Sequence, residues 1–552
     1  MSDRSGSGSG WGSARGRYGL ALAGGLLLAG AFPRWSYAAL GWLAPAVVAA
    51  SAIGASPGMA FRLGYAAGLA QCLAAFSWLL LIPFPAGAVA GWLALSLYLA
   101  LYPAAWVWMA RVSMPEPLAD GDRGADAPLG GGACSSWGWA ASSRWAAQCA
   151  FYWVALEMVR ARLLTGFPWN PLGGSQFEML SLIQVAAWTG VYGISFLMVW
   201  FSMALLRVAA GWTRDARSWR SVVAVLYPPV LVVVAVSAGG FYRIMGFPAG
   251  TRPLSMALVQ PSLAQSLIWD AKESTNRFHG LLELSRQALA EPADVLVWPE
   301  AAVPNVLRYD EGLTLPGVTN LAREHRIWIV LTADDAAPRF AGAGEGEWDF
   351  YNSAFLFDPE GQLRAEYRKR HLVAFGEFVP LVRWLPLMRH LTPVQEGFTA
   401  GDRPGWFALP PGDIEAAPLI CFEDIFGHQV RGHVRPETDL LLNLTNDGWF
   451  GHSAAQWQHA VNALFRAVEN GRPLVRCTNN GVSCWIDPVG RMNVLAFGED
   501  ASVYGRGFGR IDLRLPAAGE QWPATFYNRH GDWFGWGCVA ISLLSLGIAR
   551  FR

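Results

Sequence analysis

The sequence predicts an α-helical membrane bundle of about eight spans carrying a layered α/β domain. Three observations lead there. The 552-residue chain is 53% hydrophobic and only 15% charged. From 18 to 242, long apolar stretches are broken only by short polar ones, and another such stretch lies at 534–549. From about 250 to 520 the composition is that of a soluble domain, with strand-like runs alternating with helical stretches.

A helical span needs about 20 apolar residues, with about 17 as a lower bound. The candidates are 18–32, 37–55, 63–82, 87–110, 145–159, 181–206, 222–242 and 534–549. The first and fifth are short, and 18–55 also reads as one helical hairpin turning at Pro33-Arg34. No small-residue cleavage site follows the first apolar stretch and another span comes at once, so a cleaved leader is not expected. Basic residues in the short connections set the orientation. With the N-terminus in the cytoplasm, thirteen arginines lie inside, and only Arg34, Arg160 and Arg162 lie outside before the large domain. The expected domains are therefore a bundle over 1–242, an outward-facing domain over 243–530 and a last membrane helix over 531–552. In a bacterium this is the inner membrane, with the large domain in the periplasm. Residues 112–144, rich in Gly, Ala, Ser and Asp and without periodicity, read as a flexible cytoplasmic loop.

Within the soluble domain, PLSMALVQ, ADVLVWP, RIWIVLTA, APLICFE and DLLLNLTN read as buried strands. Two hairpins cross D-P-x-G turns, YNSAFLF-DPEG-QLRAEYR and GVSCWI-DPVG-RMNVLAF. Helices are expected at 271–290 and 454–469 from their apolar periodicity.

Several function classes are disfavoured. The net charge is zero and there is no basic stripe, so no nucleic-acid partner is expected. The spans carry few ionisable residues besides Glu157, so no ion pathway is evident. The seven cysteines form neither a zinc pattern nor a disulfide scaffold. Cys477 and Cys484 read as core residues, with a cross-strand disulfide as the alternative. Cys421 is left as a free reactive thiol.

Of 42 basic residues only two are lysines, Lys272 and Lys369. Lys369 lies in YRKRHLVAFGEFVP, in a chain that otherwise uses arginine. Lysine is compact, and its pKa responds to burial. Glu300 closes the apolar run ADVLVWPE, and Cys421 closes AAPLICFE. A thiol needs activation. Glu300 can take its proton and return it to a leaving group. Lys369 can stabilise an oxyanion. Glu377 and Glu423, close in sequence to two of the three, read as supporting acids that orient the lysine and set its charge. A lone cysteine at a strand end is usually core; it is the combination that points to catalysis.

WPEAAVP, YRKRHLVAFGEFVP and LICFED resemble the Glu-Lys-Cys signatures of the nitrilase superfamily. GFPWNPLG at 166–173, LTNDGWFG at 444–451, QWQH at 456–459 and RPLVRCTNNGVS at 472–483 extend the likeness, and nearly the whole chain is similar to the apolipoprotein N-acyltransferase family. Four positions depart from its usual pattern: Pro261-Ser262 for Gly-Asn, Ala374 for proline and Phe422 for tyrosine. The resemblance implies a nitrilase-like α-β-β-α sandwich on an eight-span bundle, with Glu300, Lys369 and Cys421 as the triad. It implies an acyl chain moving from a phospholipid donor, through a thioester on Cys421, to the α-amine of a diacylated apolipoprotein. No metal or organic cofactor is implied, and a monomer is expected. Trp269, Phe422, Trp449 and Phe450 are candidates to line the substrate path.

A membrane mount suits such substrates. Each exposed CH₂ of a lipid chain costs about 0.8 kcal/mol. The segment FVPLVRWLPLMRHL at 378–391 reads as an amphipathic arm dipping into the interface. The competing readings are a membrane-tethered amidase using water as acceptor, and a non-catalytic envelope scaffold. Retention of all three triad residues disfavours the scaffold.

Overall fold

The computed structural model describes residues 13–115, 138–212, 219–268, 270–339, 348–380, 397–410, 413–498 and 500–550. Trp269, residues 116–137 of the expected loop and 381–391 of the expected arm lie outside them. The chain forms two compact units. One comprises residues up to Ser77, Gly91–Tyr242 and Asp532 onward. The other comprises Arg243–Gly531 together with Trp78–Ala90, a stretch read above as the end of one span and the start of the next.

The first unit is helical. Among the described residues, three helices are long and apolar enough to cross a membrane, Pro85–Val112, Tyr192–Ala210 and Val222–Gly246. Ala38–Ser51, Leu180–Thr189 and Trp533–Ile548 are shorter apolar helices. The expected span 181–206 does not run as one helix. It breaks after Thr189, where Gly190 takes φ +66, and the long helix starts at Tyr192. Small residues set the packing, as membrane helices favour. A Cβ on Gly25 would strike the backbone of Ala67, one on Gly64 that of Pro103 and one on Gly68 that of Ala100. On the long helix ending at Gly246, Val230, Leu231, Val234 and Phe241 stay exposed. Exposed apolar surface on that scale suits lipid.

The second unit holds two six-stranded sheets. Its strands are β1 (Arg252–Gln260), β2 (Val295–Val297), β3 (Trp328–Pro338), β4 (Trp348–Phe357), β5 (Leu363–Arg368) and β6 (Phe407–Leu409). They continue as β7 (Ile414–Ile420), β8 (Thr438–Thr445), β9 (Leu474–Thr478), β10 (Cys484–Ile486), β11 (Met492–Val494) and β12 (Gly507–Leu515). The sheet orders are β12-β1-β2-β3-β4-β5 and β11-β10-β9-β8-β7-β6. In each, three central strands run parallel and their flanks pair antiparallel.

Alternation along the strands builds two cores. Leu254, Met256 and Leu258 of β1 face the other sheet, where Leu440, Leu442 and Leu444 meet them. Ala257 and Val259 face outward onto Phe278, Leu281 and Leu321 of helices Ser274–Ala288 and Thr314–His325. Central strands buried on both faces explain the unbroken apolar runs. Helix Ala455–Asn470 is buried against the second sheet. The result is the α-β-β-α sandwich. Cys477 and Cys484 are buried free thiols, so the disulfide alternative is not realised.

Candidate active site

Glu300, Lys369 and Cys421 follow the C-terminal ends of three strands. Glu300 comes just after β2. Trp298 N–H extends that strand by donating to Val330 O at 2.9 Å, and Thr332 Oγ1 donates to Pro299 O at 3.0 Å. The chain then turns sharply, with Ala301 at φ +62. Lys369 follows β5, and its N–H donates to Asn352 O at 2.8 Å. Cys421 follows β7 and itself takes φ +54. A non-glycine residue there carries strain on the order of 1–3 kcal/mol. The turn lifts the thiol off the strand end, and Asn443 Nδ2 clamps it by donating to Cys421 O at 2.8 Å.

The polar side chains form one chain of contacts. Lys369 is 1% exposed, and its Nζ donates to Glu377 Oε1 at 2.8 Å and to Glu300 Oε1 at 3.4 Å. Asn352 Nδ2 bridges the same two carboxylates, at 2.8 Å to Glu300 and 3.1 Å to Glu377. Asn446 N–H donates to Glu300 Oε2 at 3.0 Å, and Val373 N–H to Glu377 Oε2 at 2.8 Å. Burial works to lower the Lys369 pKa, but Glu377 and Glu300 outweigh it and hold the ammonium charged. The Cys421 thiol is pushed well above its usual value by burial and then by Glu300, with Lys369 opposing. The resting group is therefore a neutral thiol, which would have to lose its proton before it could act as a nucleophile.

Glu423 takes a different part from Glu377. Its Oε1 accepts from Tyr367 OH and Arg370 N–H at 2.8 Å and from His371 N–H at 3.1 Å. Its Oε2 accepts from Ile420 N–H at 2.8 Å. One carboxylate thus ties the backbone after Lys369 to the backbone before Cys421. An amide at this position would turn an NH₂ toward backbone donors. Glu423→Gln is expected to cost about 1–3 kcal/mol, read as a fall in thermal midpoint along with lost activity. An unchanged midpoint would show that Glu423 does not hold the two segments together.

Among the lining candidates, the Phe422 ring lies 5.6 Å from Lys369 Nζ and packs edge-on to Phe426. Phe450 packs edge-on to Trp78 with centroids 4.6 Å apart, and Trp78 Nε1 donates to Gln458 Oε1 at 3.1 Å. Trp449 is half-buried on the same turn, Asp447–Phe450.

Sequence reasoning missed Asn352, whose only signal is a polar residue entering a strand. It also missed that four motifs converge behind Cys421. Arg476 donates to Asp424 Oδ2 and Asp447 Oδ2 at 2.7 Å each. His459 Nδ1 lies 2.7 Å from Asp447 Oδ1, and its Nε2 lies 2.8 Å from Asp424 Oδ1. Burial and Arg476 lower the His459 pKa, but the two aspartates prevail and raise it. Each buried aspartate is thus paired with both Arg476 and His459, which is what makes its burial tolerable. The group locks the turn carrying Cys421 to the turn whose Asn446 holds Glu300.

The sandwich and its buried carboxylate–amine–thiol group define the class, a carbon-nitrogen hydrolase domain; the Carbon-nitrogen hydrolase family matches residues 256–503. Residues 24–204 match the Apolipoprotein N-acyltransferase N-terminal domain. Curated relatives bear the name apolipoprotein N-acyltransferase. That of Geobacter metallireducens is 35% identical over 97% of this chain and 95% of its own. That of Bradyrhizobium diazoefficiens is 36% identical over 70% of each. Among solved structures, an amidase of the nitrilase superfamily from Nesterenkonia AN1 aligns with 51% of this chain and 95% of its own, at 18% identity and TM-score 0.34. The chain belongs to the apolipoprotein N-acyltransferase family, and it is an acyltransferase.

Proposed function

We propose that this enzyme acylates apolipoproteins by a two-step transfer at Cys421, from eight spans in the bacterial inner membrane, with the sandwich domain in the periplasm. Glu300 removes the thiol proton as sulfur attacks an acyl ester of a phospholipid. The tetrahedral oxyanion forms beside the Lys369 ammonium. The ester C–O bond breaks, Glu300 returns the proton to the departing oxygen, and a lysophospholipid leaves. The α-amine of a diacylglyceryl cysteine then attacks the thioester and takes the acyl chain. Glu377 keeps the lysine charged and in place. The observation that carries this reading is the buried Glu377–Lys369–Glu300 chain beside a cysteine raised on a left-handed turn. The arginine asymmetry of the connections supports the orientation.

The test is intact-mass analysis after incubation with phospholipid alone. An acyl adduct on Cys421 is expected, with one lysophospholipid released per enzyme before any acceptor is added. Such a burst is the mark of ping-pong transfer. Release that waits for both substrates would overturn the thioester, and steady release of free fatty acid would point to water as the acceptor.

A further inference from the structure

A third carboxylate borders this group. Asp334 lies on β3 directly opposite Asn352 of β4. Facing residues of an antiparallel pair put their side chains on one face of the sheet, about 5 Å apart. Asn352 uses that face to hold Glu300 and Glu377. Asp334 therefore stands next to both, but it is exposed where Glu300, Lys369 and Asn352 are buried. Its neighbour Asp335 takes the other face and pairs with Arg308 and Arg368. Asp334 has no cation partner among the described residues.

The charges on this face do not balance. Among the described residues, Glu300 and Glu377 share one ammonium, that of Lys369, Asp334 beside them has none, and the thiol is neutral. An exposed carboxylate beside two buried ones is a place for a cation that arrives with a substrate. The acceptor brings one at its reacting atom.

We propose that Asp334 receives the α-ammonium of the acceptor and holds it beside the acyl thioester. This rests on the two-step reading above. The ammonium gives its first proton to Asp334, which passes it to water. The free amine nitrogen then bonds to the thioester carbonyl carbon, and its second proton goes to Glu300. The C–S bond breaks, and Glu300 returns that proton to the departing Cys421 sulfur. An amide, a thiol and one released proton remain.

The test uses the full-length enzyme in phospholipid vesicles with a synthetic peptide bearing an N-terminal diacylglyceryl cysteine. Asp334→Asn removes the charge at constant size on an exposed position. The expected result is a fall of at least about tenfold in kcat/KM for the peptide, the scale of one charge-assisted hydrogen bond. The lysophospholipid burst should change less than threefold, and Asp334→Glu should restore most of the transfer. The deficit should also shrink above about pH 8, where the peptide amine is already neutral. Among the described residues, Glu377 and Glu300 are the charged groups that act on Asp334, and they are the same in both enzymes. Burst and transfer falling together would overturn the proposal, as would neither falling. Should Asp334→Asn fail to fold, Asp334→Ser gives the same comparison. Absence of a burst in the unaltered enzyme would instead count against the two-step reading itself.

Discussion

Replacing Cys421 by serine is expected to stop transfer, lowering its rate by at least about a thousandfold. The hydroxyl is a far weaker acid than the thiol, and the base proposed for it, Glu300, is a carboxylate. The thiol already sits well above its usual pKa through burial and the charge of Glu300. A serine in the same place would be harder still to ionise, and Lys369 could not make up the difference. The fold should persist. Serine is close in size, and its backbone would meet the same left-handed turn at φ +54 that the cysteine accepts. Expression and thermal midpoint are therefore the controls, and acyl adduct and lysophospholipid release are the readouts. Transfer near the normal rate by this variant would show that no covalent step passes through residue 421.

The parts of this site that were legible in the sequence are those that end apolar runs. Glu300 and Cys421 follow strands buried on both faces, so each appears as a polar residue closing a hydrophobic string. Lys369 stood out by composition. Asn352 and Asp334 gave no such signal. Each is a polar residue within a strand hairpin, and what matters about them is the cross-strand register that sets them opposite one another. No local pattern reports a register. The buried group of Asp424, Asp447, His459 and Arg476 was spread over four motifs, and only packing brings it together. Strand β12 was passed over for another reason. GFGRIDLRL alternates apolar and polar residues instead of forming a continuous run, since only one of its faces is buried. In the helical unit, a glycine with positive φ decided where the expected span 181–206 breaks, and composition alone does not report φ.

Lys369→Arg separates the need for charge from the need for shape. The charge survives the change, and this chain uses arginine nearly everywhere else. A loss of at least about a hundredfold is expected, the scale of removing one oxyanion donor. The reason is geometric. The ammonium is 1% exposed and is held at 2.8 Å from Glu377 and 3.4 Å from Glu300, with the Phe422 ring 5.6 Å away. A guanidinium is longer and planar, and it favours two parallel hydrogen bonds to a single carboxylate. Paired that way with Glu377, it would turn its plane from the thiol and displace either Asn352 or Phe422. Overpacking of this kind typically costs about 1–3 kcal/mol, so a lowered thermal midpoint should accompany the loss without abolishing folding. The burst with phospholipid alone is the decisive measurement, because it isolates the step in which the first oxyanion forms. A burst rate within threefold of normal would show that any cation serves here and that the lysine's compact head has no part in the chemistry.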